Sequence, residues 1–170
     1  VQRLELLMNQ VGVDANFSPA RKAALLKEEA TGAPAGAMVL PDGRVVTGKT
    51  SNLLGAASSL LMNALKGVSG VDEDLFVISD EVIEPICKLK KNTLHANNPR
   101  LHSDETLLAL SVSSATDPVA KELIDHAGDL HGCDAFFSVI ISETDERLYR
   151  TLGINVCCEP KFERRGFFHR

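Results

Sequence analysis

The run Gly43-Arg-Val-Val-Thr-Gly48-Lys49-Thr50 satisfies the phosphate-loop pattern G-x-x-x-x-G-K-[S/T] at every required position. In such a loop the backbone N–H groups converge on phosphate, the lysine reaches the outer phosphates and the hydroxyl holds Mg2+. That chemistry would make the chain a nucleotide hydrolase. Two features argue against it. Val45 and Val46 are β-branched and resist the left-handed conformations of a phosphate nest. Pro41-Asp42-Gly43, just upstream, is turn chemistry, which makes Arg44 to Thr47 the return strand of a hairpin. One feature supports it: Leu75-Phe-Val-Ile78 ahead of Asp80 has the form of an apolar strand carrying a Mg2+-holding aspartate. A narrower reading is that Gly48, Lys49, Thr50 and Ser51 open the next helix. Free N–H groups, a lysine and two hydroxyls there would make an anion site, or simply a capped helix start with an exposed lysine.

A second constellation is Asn98-Pro-Arg100-Leu-His102, running into Ser103-Asp104-Glu105. Arg100 suits a carboxylate or phosphate, and His102 suits proton transfer. The same residues also read as a solvated loop that makes turns and caps a helix. The expected ligand-binding set is Gly48, Lys49, Thr50, Ser51, Asn98, Arg100 and Asp104, with His102 the acid/base if there is catalysis. The ligand would be a small anionic molecule, phosphate-bearing in one version. No cofactor and no metal set is identified. His126 and His131 are five apart and do not share a helix face. Cys87, Cys133, Cys157 and Cys158 form no C-x-x-C. Cys157 and Cys158, being adjacent, should face opposite sides of a strand. They read as buried thiols in a reducing cytoplasm.

Composition narrows the classes. A chain of 170 residues, 44% hydrophobic and 24% charged, fits one globular domain. A net charge of −5 argues against nucleic acid as partner. No apolar run nears the roughly 18 residues of a membrane span. The first residue is not Met, and the chain reads as a piece of something longer.

The elements that must position these residues follow from pattern. A helix is expected over 1–11 within a leader of 1–17. Ser18-Pro19 then opens a helix over 20–30. A hairpin pairs 37–40 with 44–47. Residues 52–66 make a helix apolar nearly all round, either buried or used to assemble subunits. Leu75–Ile78 and 135–141 read as buried strands, and 154–158 as a last strand. Helices are expected over 80–91, from Ser103, from Asp117-Pro118 to about 127, and from Ser142 to 152. Residues 1–160 would be one domain and 161–170 a tail. The fold class is α/β, a three-layer αβα sandwich with a mixed sheet.

Several separated motifs carry a resemblance: Thr31-Gly-Ala-Pro-Ala-Gly-Ala37, Leu40-Pro-Asp-Gly-Arg44, Thr47-Gly-Lys-Thr-Ser51, Ile83-Glu-Pro-Ile86, Asn98-Pro-Arg-Leu-His102, Leu152-Gly-Ile-Asn155 and Cys158-Glu-Pro160. With these the chain resembles the C-terminal part of a bacterial family of conserved proteins of unknown function, whose members are longer. The resemblance implies a cytidine-deaminase-like subdomain and upstream domains as partners. Phe136 stands where a His is usual, and His95-Ala96 replace a small Gly-Ser pair. Zinc deamination needs H-x-E at the start of the second core helix and a later P-C-x-x-C. Neither Lys49-Thr-Ser-Asn52 nor Pro85-Ile-Cys87 supplies them. Three readings therefore stand: anion binding without zinc, a non-catalytic domain for homo-oligomerisation or assembly, and a phosphate-loop hydrolase.

Overall fold

The computed structural model describes residues 11–163, with side chains from residue 19. The helix expected over 1–11 and most of the tail lie outside the described residues. Four strands form one mixed sheet in the order β2-β1-β3-β4. They are β1 (Ala35–Val39), β2 (Val45–Lys49), β3 (Asp134–Phe137) and β4 (Asn155–Cys158). β1 runs antiparallel to both neighbours, and β3 is parallel to β4. The β1–β2 hairpin turns at Gly43, whose φ of +89° is open to glycine. Asp42 Oδ1 accepts the Arg44 N–H at 3.0 Å and closes the turn.

Period-2 alternation divides the sheet between two helical layers. Helix α1 (Val11–Thr31) lies on one face, where Ala20 and Ala24 meet Ala37, Phe136 and Cys157. Helix α2 (Ala56–Ser69) lies on the other, where Leu60, Leu61 and Leu65 meet Met38, Phe137 and Cys158. The adjacent cysteines do face opposite layers. Each fully buried leucine of α2 contributes about 2 kcal/mol. Gly36 and Gly48 are register partners, and Leu60 crosses both. A Cβ on Gly48 would lie 2.3 Å from the Leu60 backbone N. Gly48 lets the helix backbone rest on β2, and Gly36 makes room for the Phe137 ring and the Leu60 side chain. Outside α2 lie α3 (Asp80–Lys88), α4 (Ser103–Ser113), α5 (Pro118–Asp125) and α6 (Glu143–Thr151), the last being the crossover between β3 and β4.

The architecture is α/β with an open mixed sheet and helices on both faces. Four local expectations are corrected. α1 passes unbroken through Ser18-Pro19. Proline removes one helical N–H there, and packing of Ala20 and Ala24 on the sheet outweighs that local loss. α2 begins at Ala56, not Asn52, because Leu54 is held in a parallel bridge to Leu101. Leu75–Ile78 is no strand: Val77 and Ile78 dock on the core while Phe76 is 85% exposed. β3 ends at Phe137, and the chain then diverges, with the Ile140 N–H bonded to the Lys161 carbonyl at 2.8 Å. Lys161, placed in the tail by sequence, also pairs with Glu28 at 2.5 Å.

Candidate functional site

Gly43 to Thr50 do not form a phosphate loop. The residues from Val45 to Lys49 are strand β2, paired along their length with β1. Their peptide groups are engaged in a ladder or splayed along an edge, so they cannot converge on one phosphate. The hydrolase reading also loses its second support, since Leu75–Ile78 carries no strand ahead of Asp80. Gly48 and Lys49 are likewise not at a helix N-terminus. Gly48 is buried and serves the contact with Leu60.

The structure nevertheless joins the two halves expected from sequence. The Leu101 N–H donates to the Leu53 carbonyl at 2.9 Å, and the Gly55 N–H donates to the Leu101 carbonyl at 3.2 Å. Ser58 Oγ donates to the same carbonyl at 2.7 Å. Arg100 Nε donates to the Ser51 carbonyl at 2.5 Å. Asn98 is buried and its Oδ1 accepts the Arg100 N–H at 2.9 Å, an Asx turn that aims the arginine. Segment 51–54 and loop 98–102 are thus one stitched unit.

Beside this seam lies a solvent-open cleft of about 710 Å3. Residues of α1, β2, segment 51–54 and α2 make up one part of its wall, and residues 73–84 another. Gly48, Lys49 and Ser51 line it; Thr50, Asn98, Arg100, His102 and Asp104 do not. Thr50 is 2% exposed, and its Oγ1 has no hydrogen-bond partner among the described residues. Asp104 Oδ1 is a second such atom. Sequence reasoning missed Lys27, Asn63 and Lys66 on the first part, and Glu73, Asp74, Asp80 and Glu84 on the second. Asn63 carried a signal, being the one amide in an apolar helix; its Nδ2 donates to the Thr47 carbonyl at 2.7 Å. The cleft is therefore not simply basic. Three lysines and four carboxylates line it together. One lysine, Lys66, is nearly buried and donates to the Glu73 carbonyl at 3.0 Å. Burial pushes its pKa down, against the opposing pull of Glu73, Asp74 and Asp72.

His102 serves α4. It is the N-cap residue, and its backbone N–H donates to Glu105 Oε1 at 2.8 Å, half of a capping box. Its Nδ1 lies 3.3 Å from the same oxygen. Lys90 Nζ reaches that oxygen at 2.7 Å and the Arg100 carbonyl at 2.6 Å. Lys90 turns inward from a single π-helical turn, Leu89–Thr93, that extends α3. Burial raises the Glu105 pKa. The bonds from the His102 side chain, Lys90 and the His102 backbone, with the Lys90 charge, outweigh it and hold the carboxyl at about 2.

Residues 16–168 match the family model described as domain of unknown function DUF1846, C-terminal. This chain belongs to that family. The DUF1846 C-terminal domain here is 43% identical over 168 residues to a UPF0371 protein of Corynebacterium efficiens, covering 99% of the chain and 34% of the relative. It is 42% identical over 168 residues to the UPF0371 protein of Corynebacterium diphtheriae, with the same coverage. It is 38% identical over 170 residues to one of Streptococcus pyogenes, covering all of the chain and 34% of the relative. The chain thus spans about a third of the length of the curated relatives it matches. The DUF1846 region covers both the seam and the cleft. The start of α2, Gly55-Ala56-Ala57-Ser58, carries neither His nor Glu.

Proposed function

We propose that this domain binds a small anionic ligand, phosphate-bearing in the simplest case, at the Lys49 end of the cleft. The observation that carries the reading is the open cavity itself, with Lys49, Lys27 and Ser51 on its β2 side. A pocket of this size suits a metabolite. Arg100 is a positioning residue in this reading: it fixes the Ser51 backbone and through it the cleft edge. His102, the acid/base candidate of the sequence, lies outside the cleft lining and takes no part in this reading, nor do Thr50 and Asp104, while Asn98 supports the seam through its bond to the Arg100 N–H. A cytidine-deaminase-like arrangement is part of the same reading. It is supported by a hairpin followed by a β-α-β unit in the order β2-β1-β3-β4, with helices on both faces. Cytoplasmic location is also proposed, supported by Cys133, Cys157 and Cys158 being packed in the core as small buried residues. Among the described residues no helix is long and apolar enough to cross a membrane.

The test is a thermal-shift screen of phosphorylated metabolites and nucleotides. A ligand that binds only the native state raises the melting temperature. Lys49→Ala should remove the shift while leaving the unliganded melting temperature unchanged. No shift from any phosphorylated compound would sink the proposal.

A second reading, a domain used for assembly, rests on a different feature from the one the sequence offered. The apolar residues of α2 are consumed inside the domain, so it offers no exposed apolar face. Leu108 and Val112, one turn apart on α4, are 67% and 74% exposed instead. The longer relatives have the chain length to cover such a face, with upstream domains or a second copy as the partner. Lowered apparent mass after Leu108→Asp and Val112→Asp, in a full-length relative, would favour this reading.

A further inference from the structure

The charges that line the cleft divide by the element that carries them. Lys49 stands on the exposed end of β2, with Lys27 from α1 beside the same cavity. Asp74, Asp80 and Glu84 line the same cavity from another part of its wall, the 73–84 segment. That segment also carries Phe76, an aromatic ring 85% exposed and lining the cavity. An exposed ring flanked by carboxylates is the chemistry that recognises an ammonium group, through cation–π attraction and charge pairing. A simple anion would gain from the lysines and be repelled by the carboxylates. A ligand with charge of both signs gains from both.

We infer that the ligand is a zwitterion: an amine-bearing phosphate or carboxylate whose anionic end meets Lys49 and Ser51 and whose ammonium end meets Asp74, Asp80 and Phe76. This deepens the proposed function and rests on it. The cavity of about 710 Å3 is larger than a two-carbon zwitterion fills, so the two charges of the natural ligand stand apart along a chain or ring. Lys66 donates to the Glu73 carbonyl and its charge also interacts with Glu73 and Asp74, so it offsets part of the acidic segment and leaves Asp80 and Glu84 outside that set.

The experiment measures binding of ω-aminoalkyl phosphates with two to six carbons to the whole chain by calorimetry, alongside alkyl phosphates of the same lengths. The amines should bind at least tenfold tighter than their alkyl counterparts, with a preferred length. In the Asp74→Asn/Asp80→Asn double variant, that preference should fall to about twofold or less. Lys49→Ala should weaken both series in parallel. All three positions are exposed, and melting curves of the variants should overlay the parent. Equal binding of amines and alkyl phosphates, still weakened by Lys49→Ala, would overturn the zwitterion and leave the anion site standing. Binding of neither series, or binding indifferent to Lys49→Ala, would overturn both.

Discussion

Two polar regions of this domain are built from the same residue types and serve opposite ends. One is the junction where the starts of α2, α4 and α6 meet. Asp145, fully buried in α6, accepts the Ser103 N–H at 2.8 Å and the Ser103 hydroxyl at 2.6 Å. Ser142 caps α6 and bonds the other Asp145 oxygen at 3.0 Å. Tyr149 donates to the Ala57 carbonyl at 2.7 Å and meets Phe137 edge-on. The Ser103–Asp145 bonds tie α4 to α6 and the Tyr149 bond ties α6 to α2, so the junction is a set of internal clamps. The other region is the cleft, where Lys49, Asp74 and Asp80 are exposed and line an open cavity. The contrast teaches how to tell structural polarity from available polarity. A buried, satisfied group holds the fold. An exposed charged group beside a cavity costs the fold nothing to lose, and a reason for it must be sought in what it meets from outside.

Substitutions can break or sharpen that contrast. The largest effect is expected at Gly48, which sequence would place in the ligand site and structure places in the packing. Gly48→Ala puts a Cβ against the Leu60 backbone and should destabilise by about 3 kcal/mol. For a chain of this size that lowers the melting temperature by roughly 6–12 °C. A normally folded Gly48→Ala protein that only loses ligand would reverse the assignment. Asp145→Ala should follow, at about 2–3 kcal/mol in urea unfolding, because the Ser103 N–H and hydroxyl are left buried without an acceptor.

Glu105 sits between the two regions and gives a pH signature. Its folded pKa of about 2 lies below the ordinary 4.5. The charged carboxylate therefore stabilises fully above about pH 5, and that contribution is lost as the pH falls toward 2. Stability should rise with pH across this window, and Glu105→Gln should flatten the rise, lowering stability at pH 7 by on the order of 1–2 kcal/mol. An unchanged acid profile would show that the Lys90–Glu105–His102 cluster contributes nothing. Tyr149→Phe should cost about 1 kcal/mol, the worth of one buried hydrogen bond, read by the same unfolding curves. Lys49→Ala should leave the curve where it is, since Lys49 is exposed and stands on an edge strand. A marked destabilisation there would move Lys49 from the cleft to the scaffold.

The hairpin was legible because Pro41-Asp42-Gly43 dictates its own turn and β-branched Val45 and Val46 dictate strand. The division of Cys157 from Cys158 was legible because side-chain alternation in a strand is geometric. The start of α2 was not. Ser51 and Thr50 look like caps, and locally nothing forbids a helix from Asn52. Leu101, some fifty residues away, pairs with Leu54 and holds the chain extended to Gly55. Leu75–Ile78 misleads for a related reason. Four apolar residues in a row satisfy a buried strand or a docked turn equally, and only packing decided that Val77 and Ile78 go in while Phe76 stays out.

The sequence by itself determined the turn chemistry, the α/β alternation and the nearness in kind of the two candidate segments, because propensity and period act over a few residues. Only the tertiary structure decided that the phosphate-loop glycine is a packing glycine, that Arg100 reaches Ser51, and that carboxylates of the 73–84 segment and Phe76 line the same cavity as Lys49. Those outcomes depend on pairing and close approach between residues far apart in the chain, and no local pattern encodes such distances.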